Sequence, residues 1–275
     1  MCVPGCMDVV RDRLTRRGFF QGASFAAAGA AAVAAMPGVV SAKPGPFTSV
    51  IDLTHTLSPD FPTFFGVPGI EMERRAELRK DGYNMYAWQL VEHTGTHLDA
   101  PIHFSETGAS VDGIAAATLI APLAVIDVSA KAEKDADYLL SRDDLAAWEG
   151  KHGTLPEGGC VAMHSGWGRL ATGDPARFIG RDVDGTLHFP GIAPEATEWL
   201  LKERQIAGLA VDTLSLDHGP SRDFKTHHLW LPSGRWGLEN VANLDRAPAA
   251  GATLVVGLPK VKDATGAPVR LFAFL

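Results

Sequence analysis

Seven runs rich in β-branched and apolar residues recur along the chain: SVIDLT (49–54), MYAWQLVEH (85–93), LAVIDVS (123–129), CVAMHS (160–165), AGLAVDT (207–213), ATLVVGLP (252–259) and VRLFAFL (269–275). Their length and composition predict strands. Two segments carry helical signatures instead. SRDDLAAWEGKHG opens on Ser141 as an N-cap with acidic residues in its first turn, and APEATEWLLKERQ places Pro194 near the first helical position, with Trp199 and Leu200 on an apolar face. Strands joined by only one or two crossover helices predict a mixed α/β domain with a mixed sheet. No internal repeat or low-complexity linker interrupts it.

The first 42 residues depart from this pattern. Arg16 and Arg17 precede Phe19 and Phe20, a weakly apolar Ala/Gly-rich run follows from Ala23 to Val40, and Val40-Ser41-Ala42 offers small side chains to a peptidase. That charged, apolar, small-residue order predicts a twin-arginine export signal cleaved near Ala42, and hence a periplasmic or secreted protein that engages the twin-arginine machinery. The run is short and its alanines and glycines anchor poorly in hydrocarbon, which argues against a retained membrane span. The folded domain is therefore expected over 43–275.

With 46% hydrophobic and 21% charged residues among 275, that domain is large enough to bury a sizeable core. The full chain has a formal net charge of −7. Residues 1–42 contribute four Arg against Asp8 and Asp12, so the remainder stands at −9 and offers no electrostatic footprint for nucleic acid. Cys2 and Cys6 leave with the signal. The remaining Cys160, in the apolar run CVAM, can form no internal disulfide and is expected to be a small buried hydrophobe.

Candidate chemistry concentrates in HTGTHLDAPIHF, where His93, His97, Asp99 and His103 are separated by four, two and four positions. An extended chain would present all four on one side. Ten extended residues span about 33 Å, far beyond what one ion with bonds near 2 Å can bridge, so the segment must bend. Gly95 and Pro101 are suited to bending it, and they argue against a continuous helix. A strand running into a turn is expected. Imidazole and carboxylate are the ligands of zinc, manganese or ferrous iron, and the lack of Cys argues against a structural thiolate site. A serine hydrolase is disfavoured because Ser165 in HSGWG lacks the G-x-S-x-G elbow.

The unbroken H-x-G-T-H-x-D-x-P-x-H pattern from His93 to His103 resembles the cyclase-like metal hydrolases, which include bacterial kynurenine formamidase (arylformamidase) and isatin hydrolase. Supporting similarity runs through IDLTHTLSPD, SGW at 165–167, DTLSLD at 212–217 and HHLWLPSGRWGLEN at 227–240, and so covers the chain from Ile51 onward. The resemblance implies a swivelling β/β/α domain, a homodimer with a site walled partly by the partner, and His93, His97, Asp99, His227 and Glu239 as metal ligands. It implies one or two Zn²⁺ or Mn²⁺ ions, and His103 as the proton donor and acceptor. The implied activity is hydrolysis of a small-molecule amide or lactam, since a bound divalent ion acidifies water and polarises a carbonyl while an imidazole handles the remaining proton.

Phe64, Phe65, Trp88 and Trp167 are candidate walls for an aromatic substrate. Formamidases of the family carry a tryptophan in a W-P segment where this chain has FPTFFGVPG, and that departure, together with export, weakens a kynurenine assignment. A cyclase or dehydratase using the same ion, and an exported metal- or ligand-binding protein without turnover, are the alternative readings. The roles of His164, Asp212, Asp217 and His218 stay open, because an Asp after a strand is commonly a cap or turn residue.

Overall fold

The computed structural model describes residues 47–275; the expected signal and its cleavage point lie outside the described residues. Thirteen strands are described: β1 (Val50–Asp52), β2 (Ile70–Ala76), β3 (Met85–Leu90), β4 (His97–Asp99), β5 (Ile120–Asp127), β6 (Leu139–Leu140), β7 (Cys160–His164), β8 (Gly191–Ile192), β9 (Gly208–Val211), β10 (Trp236–Glu239), β11 (Ala252–Gly257), β12 (Gly266–Pro268) and β13 (Arg270–Phe274). Nine of them form one sheet in the order β1-β13-β11-β5-β7-β9-β10-β4-β12. The four central strands β5, β7, β9 and β10 run parallel, and both flanks are antiparallel.

Only Val269 separates β12, at one edge of the sheet, from β13, next to the other edge, so the sheet curls back on itself. Backbone bonds across the closure seal it: Val269 N–H donates to the Thr96 carbonyl (2.9 Å) and Ala242 N–H to the Leu53 carbonyl (2.9 Å).

Strand alternation explains why the central runs are apolar throughout. Leu123, Val125, Cys160, Ala162 and Ala210 pack inside the curl with Leu53, Leu98, Leu238 and Leu254, while Ile126, Val161, Met163, Leu209 and Val211 face outward. There the helices Arg142–His152 and Pro194–Glu203 cover them with Leu145, Trp148, Ala196 and Leu200. Strands covered on both faces need no polar side. Cys160 is wholly buried, and burial pushes its thiol pKa up.

The first of these helices begins as its sequence suggests: Ser141 accepts from Asp144 N–H, and the Asp144 side chain accepts in return from the Ser141 backbone N–H. The mixed α/β class is therefore the observed one, with few helices and a large curled sheet. Strands β10 (WGLE) and β12 (GAP) had no signal of their own, because they are short and held by neighbours instead of by propensity, whereas β4 (HLD) is the strand expected before the turn at Pro101.

Candidate metal centre and its cavity

The segment 93–103 bends where its sequence allows. Gly95 takes a left-handed φ of 60°, His97 to Asp99 form β4, and Pro101–Phe104 coil into a single 3₁₀ turn that returns His103 to the same side. Period-two geometry puts His97 and Asp99 on one face of β4. Antiparallel pairing then sets Glu239 of β10 directly opposite His97. His227 comes from the short helix Lys225–Trp230, which sequence patterning does not signal.

These side chains converge. His97 Nε2 lies 3.3 Å from Asp99 Oδ1 and 3.3 Å from Glu239 Oε2, and His227 Nε2 lies 3.1 Å from Glu239 Oε1 and 3.5 Å from Asp99 Oδ2. His93 Nδ1 is 2.6 Å from Asp99 Oδ1, and the His93 and His103 rings stack at 3.8 Å. Potential ligand atoms of His97, Asp99 and Glu239 fall within 4.8 Å of one another, as do those of His93, Asp99 and His103. Asp99 belongs to both groups and could therefore serve two ions.

The second ring nitrogen of each buried histidine is occupied. His97 Nδ1 donates to the Gly95 carbonyl (2.9 Å), and His227 Nδ1 donates to Asp217 Oδ2 (2.6 Å). Both rings therefore turn a hydrogen-free Nε2 towards the cluster when neutral. Asp217, left open by sequence, also accepts from the backbone N–H groups of Thr226 and His227, so its contact with the centre is through His227. Asp212 does something different: it accepts from the Ser165 hydroxyl and from the Ser165 and Gly166 N–H groups, organising the turn after β7 away from the cluster. His164 lies 3.4 Å from Asp127.

A divalent cation fits this donor set. Asp99 and Glu239 are almost fully buried, at 1% and 6% exposure, and two carboxylates this close and dry require compensating positive charge. His97 Nε2 and Asp99 Oδ2 are buried with no hydrogen-bond partner among the described residues. Without an ion the histidines supply the charge: burial opposes protonation of His97, but a proton on Nε2 would be shared with Asp99 and Glu239, each 3.3 Å away, and these carboxylates outweigh burial and raise its pKa to about 10. His227 is likewise raised, against burial, by Asp217, Asp99 and Glu239. Against burial, the bonds from His227, His93 and His97 hold Asp99 well below the usual carboxylate range. His103 contrasts with them: burial pushes it down to about 4, leaving a neutral imidazole at neutral pH.

The cluster floors a cavity of about 210 Å³ lined by Phe64, Phe65, Phe104 and Phe224 together with Thr94 and Asn240. Phe104 and Phe224 stand 6.0 Å apart, with Phe64 6.2 Å from Phe224. Phe224 adopts a left-handed backbone (φ 45°, ψ 45°), uncommon for a bulky residue and consistent with strain held at a functional site. Sequence reasoning missed both Phe104, which directly follows the motif, and Phe224, three positions before His227.

Two expected wall residues lie elsewhere. Trp88 is 65% exposed on β3, because β2 and β3 form a separate two-stranded ribbon. Trp167 is buried, with its indole N–H donating to the Phe178 carbonyl (3.1 Å), and it lines a different cavity of about 280 Å³. Aromatic character alone could not separate wall from core.

Residues 51–218 match the family model described as "Cyclase". The chain is 35% identical over 244 residues to isatin hydrolase of Roseibium aggregatum, covering 82% of this chain and 91% of that protein. It is 29% identical to kynurenine formamidase of Bacillus cereus, covering 80% and 94%. The solved structure of isatin hydrolase A from Ralstonia solanacearum superposes with a TM-score of 0.77 at 37% identity, over 82% of this chain and 92% of that one.

Proposed function

The chain belongs to the cyclase family, and on that premise we propose that it is a divalent-metal-dependent hydrolase of a cyclic or aryl amide, of the isatin hydrolase and arylformamidase type. The observation that carries the reading is a buried His97-Asp99-Glu239 cluster with orphaned Nε2 and Oδ2 atoms, opening onto a cavity walled by phenylalanines. His93, His97, Asp99, His227 and Glu239 would hold one or two ions, with nitrogen and carboxylate donors suited to Zn²⁺ or Mn²⁺. A bound divalent ion lowers the pKa of water and polarises a carbonyl.

The chain's own residues do the rest. Phe64, Phe104 and Phe224 seat a flat ring by apolar burial and ring packing. Asn240, which lines the cavity, donates its Nδ2 to the Gly95 carbonyl (2.9 Å) and so braces the turn that leads into His97. His103, neutral and beside the cluster, takes a proton from the attacking water and returns it to the leaving nitrogen, so an acid and an amine result.

The test is turnover of Lys43–Leu275 loaded in parallel with zinc and manganese, on isatin, N-formylkynurenine and a panel of aryl amides, lactones and esters. Amide cleavage that falls by about 100-fold or more with a chelator and returns with one metal is expected. Protein that holds its metal and cleaves no amide would move the assignment to a cyclase, a dehydratase or a binding protein.

We also propose a homodimer exported through the twin-arginine route, the latter supported by Arg16, Arg17 and the apolar run after them. The β2–β3 ribbon supports the dimer. Its cross-strand pairs Met72–Trp88 and Arg74–Tyr86 lie on one face with Leu90, and these apolar side chains are exposed. A lone two-stranded ribbon is marginal in water, and such a patch commonly meets a partner. Trp88→Glu combined with Leu90→Glu is expected to halve the mass measured by light scattering, whereas a parent protein already monomeric would overturn the assignment.

A further inference from the structure

We propose that Thr265 and Glu92 are positioning residues that fix which nitrogen of His93 faces the metal centre. The inference rests on the hydrolase reading above and adds to it an assignment of ligand atom. Glu92 Oε2 accepts from both the Thr265 backbone N–H (3.0 Å) and the Thr265 hydroxyl (2.5 Å). A hydroxyl has one proton and a carboxylate only accepts, so that proton is committed to Glu92. Thr265 Oγ1 then offers only lone pairs to His93 Nε2, 3.0 Å away, and Nε2 must be the donor. When the ring is neutral, as a ligand must be, the hydrogen-free nitrogen is therefore Nδ1; without an ion a proton there is shared with Asp99 Oδ1 at 2.6 Å, and an ion held in the group formed with His103 would take that proton's place. His93 is reversed relative to His97 and His227, which commit Nδ1 and offer Nε2.

The relay is rigidly mounted. The Thr265 carbonyl accepts from Ala100 N–H (2.9 Å), directly after β4, which ties the edge strand β12 to the strand bearing His97 and Asp99. The next residue, Gly266, lies against the imidazole: a Cβ there would sit 2.5 Å from His93 Cε1 and 2.9 Å from Nδ1. The ring is therefore seated on bare backbone, with the Thr265 hydroxyl at one nitrogen and Asp99 at the other. Groups that orient a metal-binding histidine through its second nitrogen typically change metal affinity by about 10–100-fold when removed.

The experiment compares the parent full-length protein with Thr265→Val, which keeps shape and removes the hydroxyl, and Thr265→Ser, which keeps the hydroxyl and removes the methyl. Zn²⁺ affinity is read by competition with a chromophoric chelator, thermal midpoints are read on the metal-free proteins, and long-range ¹H–¹⁵N spectra of the zinc form report the His93 tautomer. Thr265→Val is expected to bind zinc about 10–100-fold more weakly at an unchanged metal-free midpoint, Thr265→Ser to stay within about threefold of the parent, and the parent spectrum to show His93 protonated at Nε2. Equal affinity in parent and Thr265→Val would overturn the relay while leaving the hydrolase reading intact. So would an equal loss in Thr265→Ser and Thr265→Val, which would make the methyl group the cause, or a parent His93 protonated at Nδ1. A parent that binds neither zinc nor manganese would overturn the hydrolase reading and the relay together.

Discussion

Glu239→Gln is expected to weaken divalent-ion binding by more than about 100-fold, beyond the loss typical of residues that merely orient a ligand, and to reduce turnover at fixed metal concentration by about 10³. The side chain sits opposite His97 in the β10–β4 register, contacts His97 and His227 through its two oxygens, and accepts from Leu216 N–H at 3.0 Å. Gln can keep the Leu216 bond through its carbonyl oxygen, so the protein should fold. What it cannot supply is the anionic oxygen beside His97, where an amide NH₂ would meet the space an ion requires. Chelator competition on the variant, with circular dichroism as the folding control, checks this; parent-like affinity would remove Glu239 from the ligand set.

The same cluster sets the pH dependence. Ligating nitrogens must be free of protons, yet without an ion His97 holds its proton up to about pH 10, where hydrogen bonds to Asp99 and Glu239 overcome burial, and His227 holds its own well above the usual imidazole range. At pH 7 an incoming ion therefore displaces protons, and affinity rises with pH by about tenfold per unit for each proton released. Calorimetry in two buffers of different ionisation enthalpy reads the proton count directly. Because Glu239 is one of the groups raising His97, Glu239→Gln should lower the pH at which His97 gives up its proton as well as bind more weakly.

The division between what sequence reveals and what it hides follows chain distance. His93, His97, Asp99 and His103 fall within eleven positions, with glycine and proline marking the bend, so their clustering is a local event that composition and spacing expose. His227 and Glu239 reach the same point through the Lys225–Trp230 helix and the β10–β4 pairing, and only resemblance to a family singled them out, with the adjacent His228 one position out of register; the helix buries His227 and leaves His228 exposed. Thr265 lies 172 positions from His93, and no periodicity reports a contact made because a curled sheet brings its last strands beside β4. The phenylalanines divide the same way: FPTFF drew attention by density, whereas Phe104 and Phe224 become walls only once the 3₁₀ turn and the helix face each other. Trp88 and Trp167 carried the same chemical promise and were assigned by the fold to a ribbon surface and a core.

His103→Ala separates proton transfer from ion binding and is expected to retain the metal while lowering turnover by about 10²–10⁴, the range for loss of a general acid and base. His103 stands apart from the other histidines in two ways. It stacks on His93 at 3.8 Å instead of hydrogen-bonding to a carboxylate, and burial pushes its pKa down to about 4 while His97 and His227 are raised. Its ring can still approach Asp99 and His93 closely enough to act as a third donor to an ion. The two roles give opposite results. If His103 moves protons, His103→Ala keeps parent-like zinc or manganese affinity and KM while kcat falls, and added imidazole restores part of the rate; if it is a ligand, the metal is lost with the activity and imidazole restores both together.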